Sequence, residues 1–309
     1  MLIVYGSLNI DMMMSLPHLP KAGETVTAPS YEWMPGGKGA NQALAAVLSG
    51  ARKVAIVGKV GDDGFGTRAL NNLRREGVMT SGVGHSDLPT GCAFIPVDQA
   101  GENSVFLALG ANYEVTSDQV PDELLVPGNT ILMQMEIPVE NNWDVIRRAN
   151  AKGARTILNL APVGPVPEDV LNSLDILIFN EGEAQDYAAL AGLETDNIPR
   201  AMARLARQYK LTVVLTMGRK GCLWLAPDGG GWGCKTLENI ELVDTTGAGD
   251  TFIGVLAACL EEGKSVEDGL HRASVAAGLA CEALGAQSAT PRQSAIDEAM
   301  SRLAAPEAI

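Results

Sequence analysis

The segment RTILNL (155–160) has apolar side chains at 157, 158 and 160 and adjacent β-branched side chains at 156 and 157. Similar runs occur before it, TILMQM (130–135), and after it, DILIF (175–179) and TVVLTM (212–217). Alternating apolar and polar positions would indicate a strand with one face in water, whereas these continuous runs indicate strands covered on both faces. Four such strands in succession are expected in a sheet at the centre of the protein.

Segments with the spacing of amphipathic helices separate these runs. Two of them are VENNWDVIRRANAKG (139–153) and IPRAMARLARQYK (198–210), and an earlier unit pairs VAIVGKVG (54–61) with GTRALNNLRREG (66–77). Repeated alternation of strand and helix predicts an α/β fold: a central, mostly parallel sheet flanked by helices on both faces. Ligands of such sheets bind outside the carboxyl ends of the strands, so site residues are expected there.

Two stretches, 10–35 and 88–110, interrupt the alternation with strand-like pieces and no helical pattern. The second is expected to form a hairpin around DQAGEN (98–103). We expect both stretches to form a small β-sheet that projects from the main body as a lid or an oligomer contact. Residues 1–309 are expected to form a single domain, of which this small sheet is a part.

Composition excludes several classes of protein. The chain has 309 residues, 46% of them hydrophobic, and a net charge of −14 without clustered basic residues, which argues against nucleic-acid partners. It has no apolar run of membrane-spanning length, and its first residues, MLIVYGSLNID, lack a basic signal region, so we expect no membrane association and a cytoplasmic location. The five cysteines never form CxxC and are expected to be reduced core thiols.

The segment DTTGAGDTF (244–252) precedes apolar residues at helical spacing, with Gly263 as a stop signal. Small residues at a helix entry leave unpaired amides accessible, which predicts an anion pocket. An acid at its rim, Asp250, would repel phosphate but could take a proton from an attacking hydroxyl. The alternative is that Asp250 only caps the helix.

The segment PGGKGANQALAA (35–46) has three glycines around Lys38, and we expect Asn41 to open a helix. Lys38 is followed by glycine rather than Ser or Thr, so this is not a Walker A loop, and Lys38 could equally be a surface lysine. The Gly-Lys-Ser run at 263–265 is rejected because it follows a helix C-terminus, the wrong end for phosphate.

Three further polar groups follow predicted strands. Asn9 and Asp11 could grip vicinal hydroxyl groups or form a polar turn. FNEGE (179–183) offers an acid that could hold magnesium through water. TMGRKG (216–221) could wrap nucleotide phosphates or ribose, or simply turn the chain.

Taken together, GSLNID, GGKGANQA, MQMEIP, FNEGE, LTMGRKG and DTTGAGDTF resemble the ordered motif set of the ribokinase family of carbohydrate kinases. The resemblance runs from residue 3 to about residue 303, and two of its signatures, Gly-Gly-Lys-Gly-Ala-Asn-Gln and Asp-Thr-x-Gly-Ala-Gly-Asp, are specific. The family's fold agrees with the α/β architecture read from the strand pattern.

The resemblance implies the roles of individual residues. Asp250 would be the catalytic base, beside an anion hole at Gly247, Ala248 and Gly249. The sugar would be held by Asn9, Asp11, Gly37, Lys38, Asn41, Glu136 and Asp250. ATP would be held by Asn180, Thr216, Gly218, Gly221, Gly249 and Ser274, with Glu183 organising Mg²⁺. A potassium ion, K⁺, would be bound by Asp244, Thr246, Ala280, Ala283, Gly285 and Ala289, where the family often has a hydroxyl residue in place of Ala289.

The implied activity is ATP-dependent phosphorylation of the 5-hydroxyl of D-ribose, with a lid that closes over the sugar and joins a homodimer. Another pentose, a hexose or a nucleoside remains an alternative acceptor. A dinucleotide-dependent oxidoreductase would need a G-x-G-x-x-G turn after the first strand, which is absent. A non-catalytic sugar-binding protein would leave the acid at the phosphate-facing helix entry without a purpose.

Overall fold

A computed structural model describes residues 1–100, 102 and 104–309. Its strands, numbered along the chain, are β1 (Leu2–Tyr5), β2 (Asn9–Ser15), β3 (Tyr31–Gly36), β4 (Val54–Gly61), β5 (Met79–Ser86), β6 (Gly91–Val97), β7 (Phe106–Ala108), β8 (Thr130–Met133), β9 (Arg155–Asn159), β10 (Ile176–Asn180), β11 (Thr212–Thr216), β12 (Cys222–Leu225), β13 (Gly231–Cys234) and β14 (Glu307–Ala308). Its α-helices are α1 (Lys38–Leu48), α2 (Gly64–Arg75), α3 (Val139–Lys152), α4 (Glu168–Leu171), α5 (Glu181–Leu190), α6 (Ile198–Tyr209), α7 (Ala248–Glu261), α8 (Val266–Ala280) and α9 (Gln293–Ala299).

The central sheet has the strand order β14-β13-β12-β11-β10-β9-β8-β1-β4-β5 within the described residues. The strands from β11 to β5 run parallel, as predicted. At the other edge β12, β13 and β14 pair antiparallel, which the sequence pattern did not predict. The four runs that predicted buried strands correspond to β8, β9, β10 and β11.

Two apolar clusters, one on each face, hold the sheet between its helices. Strand β1 illustrates the arrangement, because successive side chains of a strand point to opposite faces. Leu2 and Val4 belong to one cluster, with side chains of α1, α7 and α8, while Ile3 and Tyr5 belong to the other, with side chains of α3, α5 and α6. Covered on both sides, the strands have the continuous apolar sequences that predicted them.

A second sheet, of order β3-β2-β6-β7, contains the two stretches that interrupted the alternation. Strands β6 and β7 pair antiparallel, which confirms the predicted hairpin, although residues 101 and 103 of its expected turn lie outside the described part of the chain. Strand β2 pairs parallel with β6 and antiparallel with β3. Because only residues 6–8 separate β1 from β2, the small sheet continues directly from the centre of the large one.

Two smaller expectations were also tested. The helix expected to open at Asn41 begins three residues earlier, at Lys38, because the left-handed Gly37 turns the chain into it. The five cysteines are free thiols, and all except the half-buried Cys281 are buried. No helix in the described ranges is both long and apolar enough to cross a membrane.

Candidate active site

Asp250 lies in the first turn of α7, whose N-cap is the left-handed Gly247. Its carboxylate does not cap its own helix. Instead Oδ2 accepts a hydrogen bond from Asn41 Nδ2 at 3.1 Å, and Oδ1 accepts one from Gln42 Nε2 at 2.9 Å. Two amides of α1 therefore hold this half-buried carboxylate, and the helix-capping alternative is wrong.

The backbone amides before Asp250 differ in whether they are free to bind an anion, as the sequence analysis expects of them. The Ala248 amide donates to the Thr245 carbonyl at 3.2 Å and is therefore engaged within the turn. The Gly249 amide lies in the first turn of α7, before the first helical bond, from Thr251 to Gly247. A Cβ added to Gly249 would meet nothing within 4 Å, so this side of the turn faces open space. The geometry favours the amide of Gly249 over that of Ala248 as an anion donor.

Glycines allow the start of α1 to lie against the link between β1 and β2. A Cβ on Gly37, which has φ of 88°, would be 2.7 Å from the backbone nitrogen of Asn9. A Cβ on Gly39 would be 2.7 Å from backbone atoms of Ser7. This close approach brings Lys38 beside Asn9 and Asp11, although Asn9 and Asp11 belong to the small sheet.

Asp11 lies among charged groups. Burial and the nearby carboxylates of Glu136 and Asp250 raise its pKa to about 7, while Lys38 opposes this shift. The pKa of Lys38 is raised chiefly by Asp250, against its own burial. One ammonium group therefore faces several carboxylates, an arrangement that can bind a polyhydroxylated ligand through both donors and acceptors.

Two side chains that the sequence analysis missed, Ser7 and Asn112, fix the residues of this group. Glu136 Oε2 accepts hydrogen bonds from Ser7 Oγ at 2.6 Å and from the Lys38 amide at 3.2 Å. Asn112, fully buried in a 3-10 turn, donates to Asn9 Oδ1 at 2.7 Å and also bonds the backbone of Leu8. Ser7 could have been identified within the GSLNID motif, whereas no motif in the sequence marks Asn112 as a site residue.

Two adjoining cavities lie beside Asp250. The inner one has a volume of about 130 Å³, and its lining includes Lys38, Asn159, Asn180, Glu183, Thr216, Gly247, Gly249 and Asp250. The outer one has a volume of about 480 Å³, and its lining includes the predicted residues Thr216, Gly218, Gly221, Gly249 and Ser274 together with residues 235–240. The two cavities meet at Thr216 and Gly249. The segment 235–240 gave no sequence signal.

A larger open cavity, of about 780 Å³, lies between the small sheet and α2 and is lined by Trp33, Phe65 and Arg68. It contains none of the predicted site residues. The Arg68 guanidinium stacks 4.1 Å above the ring of Trp33.

Asn180 and Glu183 form a reciprocal cap at the start of α5. Asn180 Oδ1 accepts from the Glu183 amide at 2.8 Å, and Glu183 Oε2 accepts from the Asn180 amide at 2.7 Å. Burial raises the pKa of Glu183, against the Asn180 bond and Lys38. The Glu183 side chain thus combines a structural role with a position on the inner cavity.

Asp244 joins two loops beside α7. Its Oδ1 accepts from the Thr246 amide and hydroxyl, at 2.9 and 2.7 Å, and its Oδ2 accepts from the Gly285 amide at 2.9 Å. Burial acts to raise the pKa of Asp244, but the bonds from Thr246 and Gly285 lower it below its ordinary value. Ala280 ends α8, Ala283 is exposed and Ala289 is buried. Three of the six predicted potassium ligands are thus hydrogen-bonded together.

No cluster of three or more His, Cys, Asp or Glu side chains with metal-site geometry occurs among the residues whose positions are given. The predicted cation sites depend instead on single carboxylates, with carbonyl oxygens or water as the other ligands. Such oxygen donors suit hard cations such as Mg²⁺.

Comparison with known proteins defines the class. Residues 1–293 match the family model described as pfkB family carbohydrate kinase, and the chain belongs to that family. It is 36% identical to the ribokinase of Bacillus subtilis over 307 residues, covering 96% of this chain and 98% of that protein. It is 34% identical to the ribokinase of Haemophilus influenzae over 293 residues, covering 94% and 95%.

Solved structures agree with the fold. The crystal structure of ribokinase from Thermotoga maritima aligns with a TM-score of 0.90 at 30% identity, covering 97% of this chain and 99% of that one. The structure of Arabidopsis thaliana ribokinase complexed with ribose and ATP aligns with a TM-score of 0.88 at 31% identity, covering 97% and 98%. The ribokinase-like architecture and the kinase class expected from the motifs are confirmed.

Proposed function

We propose that this protein transfers the γ-phosphoryl group of ATP to the 5-hydroxyl of D-ribose, with Asp250 as the base. The observation that carries the proposal is the Asp250 carboxylate, which shares a cavity with Lys38 and with the helix-entry glycines 247 and 249. Similarity to ribokinases over nearly the whole chain, including one solved with ribose and ATP, supports ribose and ATP as the substrates.

The sugar would lie over the group formed by Asn9, Asp11, Lys38 and Glu136. Carboxylates accept hydrogen bonds from vicinal hydroxyl groups, and the ammonium group donates to hydroxyl oxygens. Gly37 gives the backbone room for close approach, and Asn41, which donates to Asp250, could also contact the hydroxyl that reacts. The attacking hydroxyl would thus lie beside the carboxylate that takes its proton.

ATP would occupy the outer cavity and extend its terminal phosphate into the inner one. Thr216, Gly218, Gly221 and Ser274 line the outer cavity, and Asn180 lines the inner one, consistent with nucleotide contacts. The amide of Gly249, at the positive end of α7, would stabilise the charge on the transferring phosphoryl group. Ala248 would join the anion hole only if its bond to Thr245 opened.

Magnesium and potassium are part of the proposal. Glu183 faces the inner cavity with one carboxylate oxygen in its helix cap, which leaves the other to hold Mg²⁺ through water. Magnesium bound there would neutralise phosphate charge. Potassium would sit beside Asp244 and Thr246 with the carbonyls of Ala280, Ala283, Gly285 and Ala289. A low pKa keeps Asp244 ionised, as a cation ligand requires.

The small sheet would act as the lid. Several of its apolar side chains remain exposed, with Tyr31 64% and Phe106 61% accessible, as are Phe94, Val105 and Leu107. An apolar surface of this kind supports burial against the lid of a second copy, in a homodimer. Closure over the sugar would exclude water and limit hydrolysis of ATP.

The test is an assay of ADP release across a panel of sugars and nucleosides, with Asp250→Asn as the variant. A positioned base contributes about 10²- to 10⁴-fold, so we expect a fall in kcat of that size while ribose still binds by calorimetry. Asp268→Asn, an exposed acid in the first turn of α8, is the matched control. Wild-type turnover by Asp250→Asn would refute the assignment of the base, and turnover of a nucleoside but not of ribose would favour the alternative acceptor.

A further inference from the structure

Behind Asp250 lies a buried chain of amide side chains that the proposed reaction does not use. Asn142 Nδ2 donates to the Gln134 carbonyl at 2.7 Å, and Gln134 Nε2 donates to Gln42 Oε1 at 2.7 Å. Gln42 Nε2 then donates to Asp250 Oδ1 at 2.9 Å and to Asn159 Oδ1 at 3.1 Å. Gln42, Gln134 and Asn142 are fully buried, and Asn159 is 4% exposed.

The Asp250 carboxylate fixes which way the Gln42 amide points. A carboxylate only accepts hydrogen bonds, so the Gln42 nitrogen must face it, and a flipped amide would bring oxygen against oxygen. The Gln42 oxygen then faces Gln134, whose side-chain nitrogen donates to it. The side-chain donors therefore run in one direction, from Gln134 through Gln42 to Asp250, while Asn142 of α3 donates to the backbone carbonyl of Gln134.

The backbone around the chain of amides is packed too closely for Gln42 to shift. A Cβ added to Gly254 of α7 would overlap the Gln42 carbonyl oxygen and lie 2.8 Å from the Ala45 Cβ, so α1 and α7 are in contact at this point. A Cβ added to Gly6 would overlap Gln134 Oε1. Glycines on both sides thus allow the chain of amides to form and leave it little room to move.

We infer that Gln42 is a positioning residue for Asp250, an inference that rests on the proposed role of Asp250 as the base. Gln42 holds Oδ1 from the buried side, which leaves Oδ2, on the Asn41 side, for the attacking hydroxyl. Gln42 itself lines neither cavity, so it has no route to the sugar or to ATP.

The primary test is Gln42→Met, which keeps length and volume but removes the donor. Loss of a hydrogen bond to a charged group should lower kcat by about tenfold or more. We expect the KM for ribose to stay within about twofold, since Gln42 makes no contact with the cavity. An unchanged kcat would overturn the inference.

Two other variants separate positioning from general stability. Gln119→Met removes an amide that donates to the Gly58 carbonyl, outside the site, and should lower the melting temperature at most. Gln42→Glu retains an acceptor for Gln134 but turns a second carboxylate towards Asp250, so we expect a larger loss of kcat than in Gln42→Met. If Gln42→Met does not fold, a Gln42→Glu variant that turns over like the wild type at pH 8 is sufficient to reject the inference.

The two proposals fail in different ways. If Asp250→Asn retains turnover, the assignment of the base fails, and the positioning role fails with it. If Asp250→Asn is inactive while Gln42→Met keeps the wild-type kcat, only the role of Gln42 fails. Agreement requires an inactive Asp250→Asn together with a Gln42→Met that has lost kcat and kept its KM.

Discussion

Substitution of Asp11 by Asn should stabilise the protein at alkaline pH and weaken sugar binding. Burial, Glu136 and Asp250 raise the pKa of this carboxyl from its ordinary value of 3.8 to about 7. The folded protein therefore holds the proton more tightly than the unfolded chain. The stability of the wild type therefore falls as pH rises from about 4 through 7, because the folded protein must then either keep a proton that the unfolded chain has lost or bury an ionised Asp11.

The size of the effect follows from the raised pKa. Raising a pKa by one corresponds to about 1.36 kcal/mol, so a pKa raised by about three lowers the free energy of unfolding by about 4 kcal/mol above pH 7. The Asp11 side chain keeps partial contact with water, which screens its charge, so we expect about half of that. The asparagine amide has no proton to lose, so Asp11→Asn should exceed the wild type by about 2 kcal/mol in free energy of unfolding at pH 8.

Urea denaturation at pH 5 and pH 8 measures the effect, with Asp186→Asn, an exposed acid on α5, as the control. We expect the advantage of Asp11→Asn over the wild type to grow between the two pH values, while the control shows no such growth. Calorimetry with ribose at pH 8, where Asp11 is ionised, should show binding weaker by about tenfold, because a charged acceptor is lost. If Asp11→Asn were less stable than the wild type by the same amount at both pH values, the argument from the raised pKa of Asp11 would be refuted.

Two further predictions concern the turn before α7. Gly249→Ala should fold normally, since its Cβ would meet nothing within 4 Å. It should nevertheless lower kcat by about tenfold, because the added methyl group fills the anion pocket. Gly247→Ala, with φ of 74° and a Cβ 2.6 Å from that of Ala286, should instead lower the melting temperature. Full turnover by Gly249→Ala would contradict the anion hole. Asp244→Asn keeps an oxygen that accepts from Thr246 but loses the negative charge. The increase in kcat on replacing a bulky organic cation with K⁺ should therefore be about fivefold smaller than in the wild type. An unchanged response to K⁺ would argue against the cation site.

The fold could be predicted because its strands and helices carry the periodicities that their burial demands. Strand β9 is buried from Thr156 to Asn159, around the apolar pair Ile157 and Leu158, because helices cover both faces of the sheet. Helices α3 and α6 show helical spacing because each buries one side. The antiparallel edge was not predicted. Strand β13, GWGC, has no apolar run, and its pairing with β14 joins segments far apart in the sequence.

The residues of the site could be predicted only where a motif marks them. Asp250 and Lys38 lie in motifs, and the structure brings both to one cavity. Gln42 lies in a motif too, but sequence patterns could not distinguish its buried contact with Asp250 from ordinary helix packing. Asn112 acts on Asn9 across more than a hundred residues, and a single polar residue in an irregular turn gives no indication of such a long-range contact. Asn159, directly at the end of a buried strand, could have been found by inspecting strand ends.

The short link from β1 to β2 puts Asn9 and Asp11 on one structural unit and Asp250 on another. In the proposed reaction, part of the sugar site would therefore belong to the small sheet and the base to the start of α7. Substitutions in the small sheet would then change which alcohol is bound while the turn at the start of α7 stays as it is. Such a division would let related genes acquire new substrates without changing the residues that perform the transfer.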